Sequence, residues 1–193
     1  MDYLWLVLLW IIYFTLHSVM ASTQIKKYIF SLGLKDQYYR MIYNIFAFLS
    51  LIPVIIISST INSEFVFYPN SFTKITGMIL AGWGVVIARM ALKSYDLKAF
   101  LGLGNLSPEN DFKTDGLLKS VRHPLYTGSI LLIIGYFIYN PKFSSLISSC
   151  MLIIYFLIGI QFEEKKLIKT FGKKYINYKM KTPMLIPRFW KKK

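Results

Sequence analysis

Cysteine is almost absent from this chain. Cys150 is the single cysteine among 193 residues, so an internal disulfide is excluded, and neither a Cys-x-x-Cys pair nor a Cys/His zinc spacing occurs. It lies in an apolar run, where a small inert hydrophobe is its ordinary role. Charge is scarce as well, at 17% of residues against roughly 25% in an ordinary soluble domain. Acidic side chains are the scarcest part of it: nine Asp and Glu face 23 Lys and Arg, a formal balance of +14. Apolar side chains fill the gap. Hydrophobic residues make up 55% and aromatics 17%, and the mean hydropathy is +0.47. A single soluble domain of this length has no interior for so much apolar surface, and disorder is excluded by the same arithmetic. Lipid must be part of the solvent.

A balance of +14 suggests a nucleic-acid partner until the charges are placed. They sit between and after long apolar runs, which points to anionic phospholipid headgroups and not to nucleic acid. Crossing the hydrocarbon takes about 20 mostly apolar residues. Five runs qualify or nearly so: Tyr3 to Met20, Met41 to Ile61, Phe72 to Leu92, the shorter Leu125 to Asn140, and Phe143 to Phe162. The first has Asp2 instead of a basic leader and a long apolar part, so it reads as a retained span and not a signal peptide. Taking the five runs as alternating spans places 21 of the 23 Lys and Arg on one side, with only Lys74 and Lys142 opposite. The positive-inside rule then sets the N-terminus outside and the C-terminus in the cytoplasm. The expectation is an all-α integral membrane protein of about five transmembrane helices. It forms one membrane domain, with three spans over 1–92 and a catalytic region over 93–193.

The polar residues gather at the inner ends of the spans. Thr114-Asp115-Gly116 is a turn signal, and Arg122-His123-Pro124-Leu125-Tyr126 follows it. Pro124 suits the first turn of a helix, where its missing N–H costs nothing. Arg122 and Tyr126 have plain interfacial roles, one toward phosphate and one in the aromatic belt. Asn140-Pro141-Lys142 makes spans four and five a tight hairpin, so Glu163 and Glu164 at the exit of span five should lie near His123 and Tyr126. Glu163 and Glu164 have an ordinary reading too, as a solvated helix end paired with nearby lysines. Beyond them, apolar residues at 167, 168, 171, 175 and 178 recur at helical spacing among lysines. That pattern predicts a basic amphipathic helix lying on the inner leaflet. His17 is an ionisable side chain inside span one, a functional candidate by position, although a neutral histidine hydrogen-bonded between helices explains it equally.

Arg-His-Pro-x-Tyr-x-Gly from Arg122, an apolar hairpin, and Glu-Glu-x-x-Leu-x-x-x-Phe-Gly-x-x-Tyr-x-x-Tyr from Glu163 together resemble the membrane methyltransferase superfamily. That superfamily includes the isoprenylcysteine carboxyl methyltransferases and the phospholipid methyltransferases. The resemblance implies S-adenosylmethionine held at the cytosolic membrane face without a Rossmann domain. It implies a cofactor pocket formed by Asn110, Asp111, Phe112, Lys113, Leu118, His123, Pro124, Leu125, Tyr126 and Glu163, with several contacts through main chain. Catalytic roles fall on His17, Arg122 and Glu164. The segments 17–22, 39–44, 99–103, 157–164 and 182–188 resemble the methanethiol S-methyltransferase and NnrU-like branch. The isoprenylcysteine enzymes carry an arginine one turn before the Glu pair, thought to engage the substrate carboxylate, and this chain has Gly159 there.

A small or lipophilic thiol is thus the leading acceptor. A thiol is only a few per cent ionised at neutral pH, and attack of its thiolate on a sulfonium is favoured where water is excluded. A carboxyl O-methyltransferase and a phospholipid or amine N-methyltransferase remain as alternatives within the same chemistry. A transporter or assembly factor is the alternative of another class. Transport is disfavoured because the deep span positions are nearly all Leu, Ile, Val and Phe. No metal-ligand spacing is present, and this chemistry requires none.

Overall fold

The computed structural model describes residues 2–93, 97–103 and 112–188. Their regular structure is helical throughout: α1 (Asp2–Ala21), α2 (Thr23–Ser31), α3 (Asp36–Thr60), α4 (Ser71–Leu92), α5 (Leu97–Phe100), α6 (Pro124–Tyr139), α7 (Phe143–Phe171) and α8 (Lys173–Lys181). A 3-10 turn, Gly116–Lys119, follows the expected turn signal. Four of the helices, α1, α3, α4 and α7, are long and apolar enough to cross a membrane, and α6 is a shorter apolar helix of 16 residues. At 1.5 Å per residue α6 reaches about 24 Å, short of a hydrocarbon core of roughly 30 Å.

The chain divides into two compact units. The first comprises Met1–Tyr68, Asp96–Ser107 and Pro141–Met151. Several of its polar groups are paired by side chains between helices, as an apolar solvent favours. Trp10 Nε1 donates to Ser148 Oγ at 3.1 Å, and Ser58 Oγ lies 3.2 Å from the same oxygen. Tyr3 Oη donates to Ser63 Oγ, which accepts in turn from the Ser144 N–H. Ser144, Ser145, Ser148 and Ser149 are all buried on the first turns of α7. Phe65 and Lys142 form an isolated antiparallel bridge. The helix α2 is not anticipated by the sequence reading, which leaves 21–40 as a basic connection. Ser22 caps it by accepting from the Ile25 N–H, so a cap and an amphipathic pattern suffice where apolar length is lacking.

The second unit comprises Pro69–Tyr95, Pro108–Asn140 and Leu152–Lys193. Asn70 and Thr73 make a capping box that starts α4. Its core is a backbone-close crossing of α4 and α6. A Cβ added at Gly84 would stand 2.6 Å from Leu132 N and 2.7 Å from Gly128 O, and one at Gly77 would stand 2.7 Å from Gly135 O. Small residues at 77, 81, 84 and 88 therefore let α6 seat directly on α4.

One expectation requires correction. The amphipathic segment after Glu164 is not a single helix. The helix of span five runs unbroken through Glu163 and Glu164 to Phe171, and Gly172, at φ 55°, separates it from α8. Glu, Lys and Leu are good helix formers, so the charges end the apolar run without ending the helix.

Candidate active site

The site is built within the second unit on the start of α6. Pro124 occupies its first turn and His123 its N-cap. Neither Arg122 nor His123 has an intrahelical acceptor for its N–H there. Both donate instead to the chain end: Arg122 N to Pro183 O at 2.9 Å and His123 N to Met184 O at 3.1 Å. Thr127 Oγ1 extends the pairing by donating to Leu185 O at 2.9 Å.

The side chains meet on α7. Arg122 Nε donates to Glu164 Oε1 at 2.7 Å, and His123 Nε2 lies 3.1 Å from the same oxygen. The Lys179 ammonium, from α8, donates to the other carboxylate oxygen at 2.6 Å. Arg122 Nη1 donates to the Lys179 carbonyl at 3.1 Å and to the Thr182 carbonyl. The Glu164 side chain is 3% exposed and those of Arg122 and His123 are 9% and 3%. A buried carboxylate must be matched by donors, and here it is matched by three. Because an ionised carboxylate only accepts, His123 presents an N–H to Glu164, and its second ring nitrogen, Nδ1, lies 4.0 Å from Glu163 Oε2.

The two adjacent carboxylates are thereby distinguished. Successive residues on a helix point about 100° apart. Glu164 turns into the network, whereas Glu163 remains 41% exposed at its edge. Tyr126 packs edge-on against His123 at 5.8 Å and against Phe156 at 5.5 Å. A Cβ at Gly159 would lie 3.5 Å from Tyr126 Oη. Phe112 packs against Phe171, Tyr175 and Tyr178, and Tyr178 Oη donates to Leu118 O at 2.6 Å. The Tyr175 phenol is pushed well above its ordinary value, first by burial and then by the Glu164 carboxylate.

Of the residues expected from the sequence, Phe112, Leu118, Arg122, His123, Pro124, Leu125, Tyr126, Glu163 and Glu164 are thus all placed in this second unit, with Lys113 exposed at its surface. Asn110 and Asp111 lie outside the described residues. His17 belongs to the first unit, where Tyr43 Oη lies 2.8 Å from its Nε2 and Tyr13 packs beside its ring. Lys179 and the carbonyls of residues 182–185 were not anticipated. Lys179 is one of many lysines in the tail, and carbonyl contacts across some 60 residues carry no local signature.

Residues 72–174 match the phospholipid methyltransferase family. A methanethiol S-methyltransferase of Crocosphaera subtropica is 32% identical over 186 residues, covering 91% of this chain and 71% of that enzyme. One from Pseudomonas deceptionensis is 34% identical over 121 residues, covering 58% of this chain and 45% of the enzyme. Methanethiol S-methyltransferase 1 of Bradyrhizobium diazoefficiens is 41% identical over 78 residues, 39% of this chain and 26% of the enzyme. The aligned part of this chain therefore spans less than half the length of two of these relatives and 71% of the third. No solved structure matches the chain. The apolar helices and this similarity together make it an integral membrane protein, and by its match over 72–174 and by its Crocosphaera relative the chain belongs to the phospholipid methyltransferase family.

Proposed function

We propose that this chain is a membrane-embedded methyltransferase that uses S-adenosylmethionine to methylate a small or lipophilic thiol. One observation carries the reading: the motif residues Arg122, His123 and Glu164 form one buried network, with the half-exposed Glu163 carboxylate at its edge. S-adenosylmethionine bears a sulfonium and an ammonium, so a carboxylate beside packed aromatic rings fits it. Phe112, Lys113, Leu118, His123, Pro124, Leu125, Tyr126 and Glu163 would hold it, together with Asn110 and Asp111. When bound, it supplies an electrophilic methyl group.

The chain's own residues do the rest. Glu163 meets the cationic ligand. Arg122 and Glu164 hold the His123–Tyr126 turn in place, and positioning of this kind is worth up to roughly 7–11 kcal/mol when the reacting groups are aligned. The acceptor reacts as its thiolate, which is the nucleophilic form. Apolar helix surface excludes water and strengthens each electrostatic interaction.

The thiol assignment is supported by the relatives' printed activity, methanethiol S-methylation, and by Gly159, which brings no cation for a carboxylate acceptor. We read the chain as one membrane domain of five spans, α6 being the fourth, with the N-terminus outside and the site at the cytoplasmic face of a bacterial inner membrane. The distribution of Lys and Arg supports that orientation. Exposed Lys165, Lys166, Lys169, Lys173, Lys174 and Lys181, beside exposed Phe162, Ile176 and Met180, suit anionic lipid headgroups.

The test is to offer the purified protein labelled S-adenosylmethionine with methanethiol, a prenylcysteine analogue and phosphatidylethanolamine in parallel. Label in the thioether is expected. Label only in the ester or the lipid would overturn the thiol assignment, and no label with no donor binding would overturn the enzymatic reading.

A further inference from the structure

The residues assigned above to the methyl donor come from three separate stretches, and one segment touches each stretch, either at a donor-site residue or at its immediate neighbour. Tyr178 packs against Phe112 at 5.2 Å and donates to the Leu118 carbonyl. Lys179 donates to Glu164 Oε2, and its carbonyl accepts from Arg122. Thr182, Pro183 and Met184 accept from Arg122 and His123, and Leu185 accepts from Thr127. Most of these are main-chain contacts, which fix position whatever the side chain. Lys179 differs, because it brings a charge.

We propose that Lys179 is a positioning residue for the methyl-donor site, acting through Glu164, and that residues 178–185 form a clasp without which that site is incomplete. The inference rests on the donor reading given above. Glu164 Oε1 has two donors, Arg122 and His123, whereas Lys179 is the donor on Oε2. Removing that cation takes the ammonium donor from a carboxylate that is 3% exposed, a costly change for a buried charge. The carboxylate then reorients or takes up a proton, and either response loosens its hold on Arg122 and His123. Lys179 itself is 42% exposed, and Lys179→Met keeps an unbranched apolar stem, so the substitution tests the charge more than the core.

Donor binding by calorimetry and steady-state methyl transfer are to be compared for the wild-type full chain, Lys179→Met, Lys179→Arg and Tyr178→Phe in detergent. Lys179→Met is expected to raise both the Kd and the KM for S-adenosylmethionine about tenfold, with the KM for the thiol within twofold of wild type. Lys179→Arg, which restores a cation, should recover donor affinity to within about threefold. A generally weakened fold would move both Michaelis constants and would not be rescued by charge. Wild-type donor affinity in a folded Lys179→Met protein would overturn the proposal, as would an equal loss in Lys179→Arg. If Lys179→Met fails to fold, Tyr178→Phe decides: reduced donor affinity at an unchanged melting temperature supports the clasp, and unchanged affinity rejects it. A wild-type protein that binds no S-adenosylmethionine would overturn the donor reading itself, a result separable from the variants' failure.

Discussion

Arg122 Nε and Glu164 Oε1 lie 2.7 Å apart, 42 residues distant in sequence and both nearly closed to solvent. This pair ties the start of α6 to α7. A buried ion pair is weak evidence for net stability, but breaking one strands the remaining charge, at a cost of about 3–5 kcal/mol. Arg122→Met and Glu164→Gln are therefore each expected to lower stability substantially in a denaturant titration in detergent. The double substitution should cost clearly less than the sum of the two. Additive losses would show that the two side chains do not act as a unit.

The neighbouring carboxylate should behave differently. Glu163 is 41% exposed, with the His123 Nδ1 4.0 Å from its carboxylate, so the fold depends little on it. Glu163→Gln is expected to leave the melting temperature within about 2 °C, since surface changes away from special features stay within roughly 0.5 kcal/mol. Its affinity for S-adenosylmethionine should fall about tenfold, equivalent to about 1.4 kcal/mol. Calorimetry showing wild-type affinity would remove Glu163 from the donor site.

The contrast between these two residues marks the limit of what the chain reveals before folding. Apolar runs and their loop signals were legible because each helix has to meet lipid: Leu125–Asn140 was expected and Pro124–Tyr139 is found. The convergence of Arg122, His123 and the Glu pair was also legible, since a hairpin brings its two inner ends together. Which glutamate turns inward was not, because that depends on the rotational phase of α7, fixed by packing. The end of α7 was missed for a related reason. Loss of apolarity at Glu163 stops a span, whereas only Gly172, with its left-handed backbone, stops the helix. Lys179 was illegible because its partner is set by how α8 lies after the break at Gly172, and its neighbours are other lysines.

The crossing of α4 and α6 gives a prediction independent of any ligand. A Cβ at Gly84 would meet backbone at 2.6 Å, whereas one at Gly82 would meet nothing within 4 Å. Gly84→Ala should destabilise by about 1–3 kcal/mol, because backbone atoms cannot move aside as a flexible side chain can. Gly82→Ala should be neutral or stabilising by up to roughly 1 kcal/mol, through helix propensity alone. Thermal unfolding of the two variants side by side checks this, and equal effects would argue against the close crossing.

The last prediction concerns the acceptor's proton. His17 sits in α1, with Tyr43 Oη 2.8 Å from Nε2 and Tyr13 against its ring. An ionisable side chain at that depth is costly unless it serves a purpose, and two roles are available to it. As a purely structural hydrogen-bonding partner it would contribute through contacts such as that with Tyr43, so His17→Ala would lower stability while a folded variant turned over normally. As the base that takes the thiol proton it would contribute roughly 100- to 10,000-fold to turnover, the usual range for general-base assistance. In that case His17→Ala should reduce kcat with methanethiol while leaving S-adenosylmethionine affinity within about twofold. The defect should also shrink as pH rises through the thiol's own pKa, because above it the thiolate forms without help. Stopped-time assays across that pH range, with the melting temperature followed in parallel, separate the two roles. Normal turnover by a folded variant would assign His17 to structure, and a defect of constant size at every pH would likewise rule it out as the base and leave the proton to solvent.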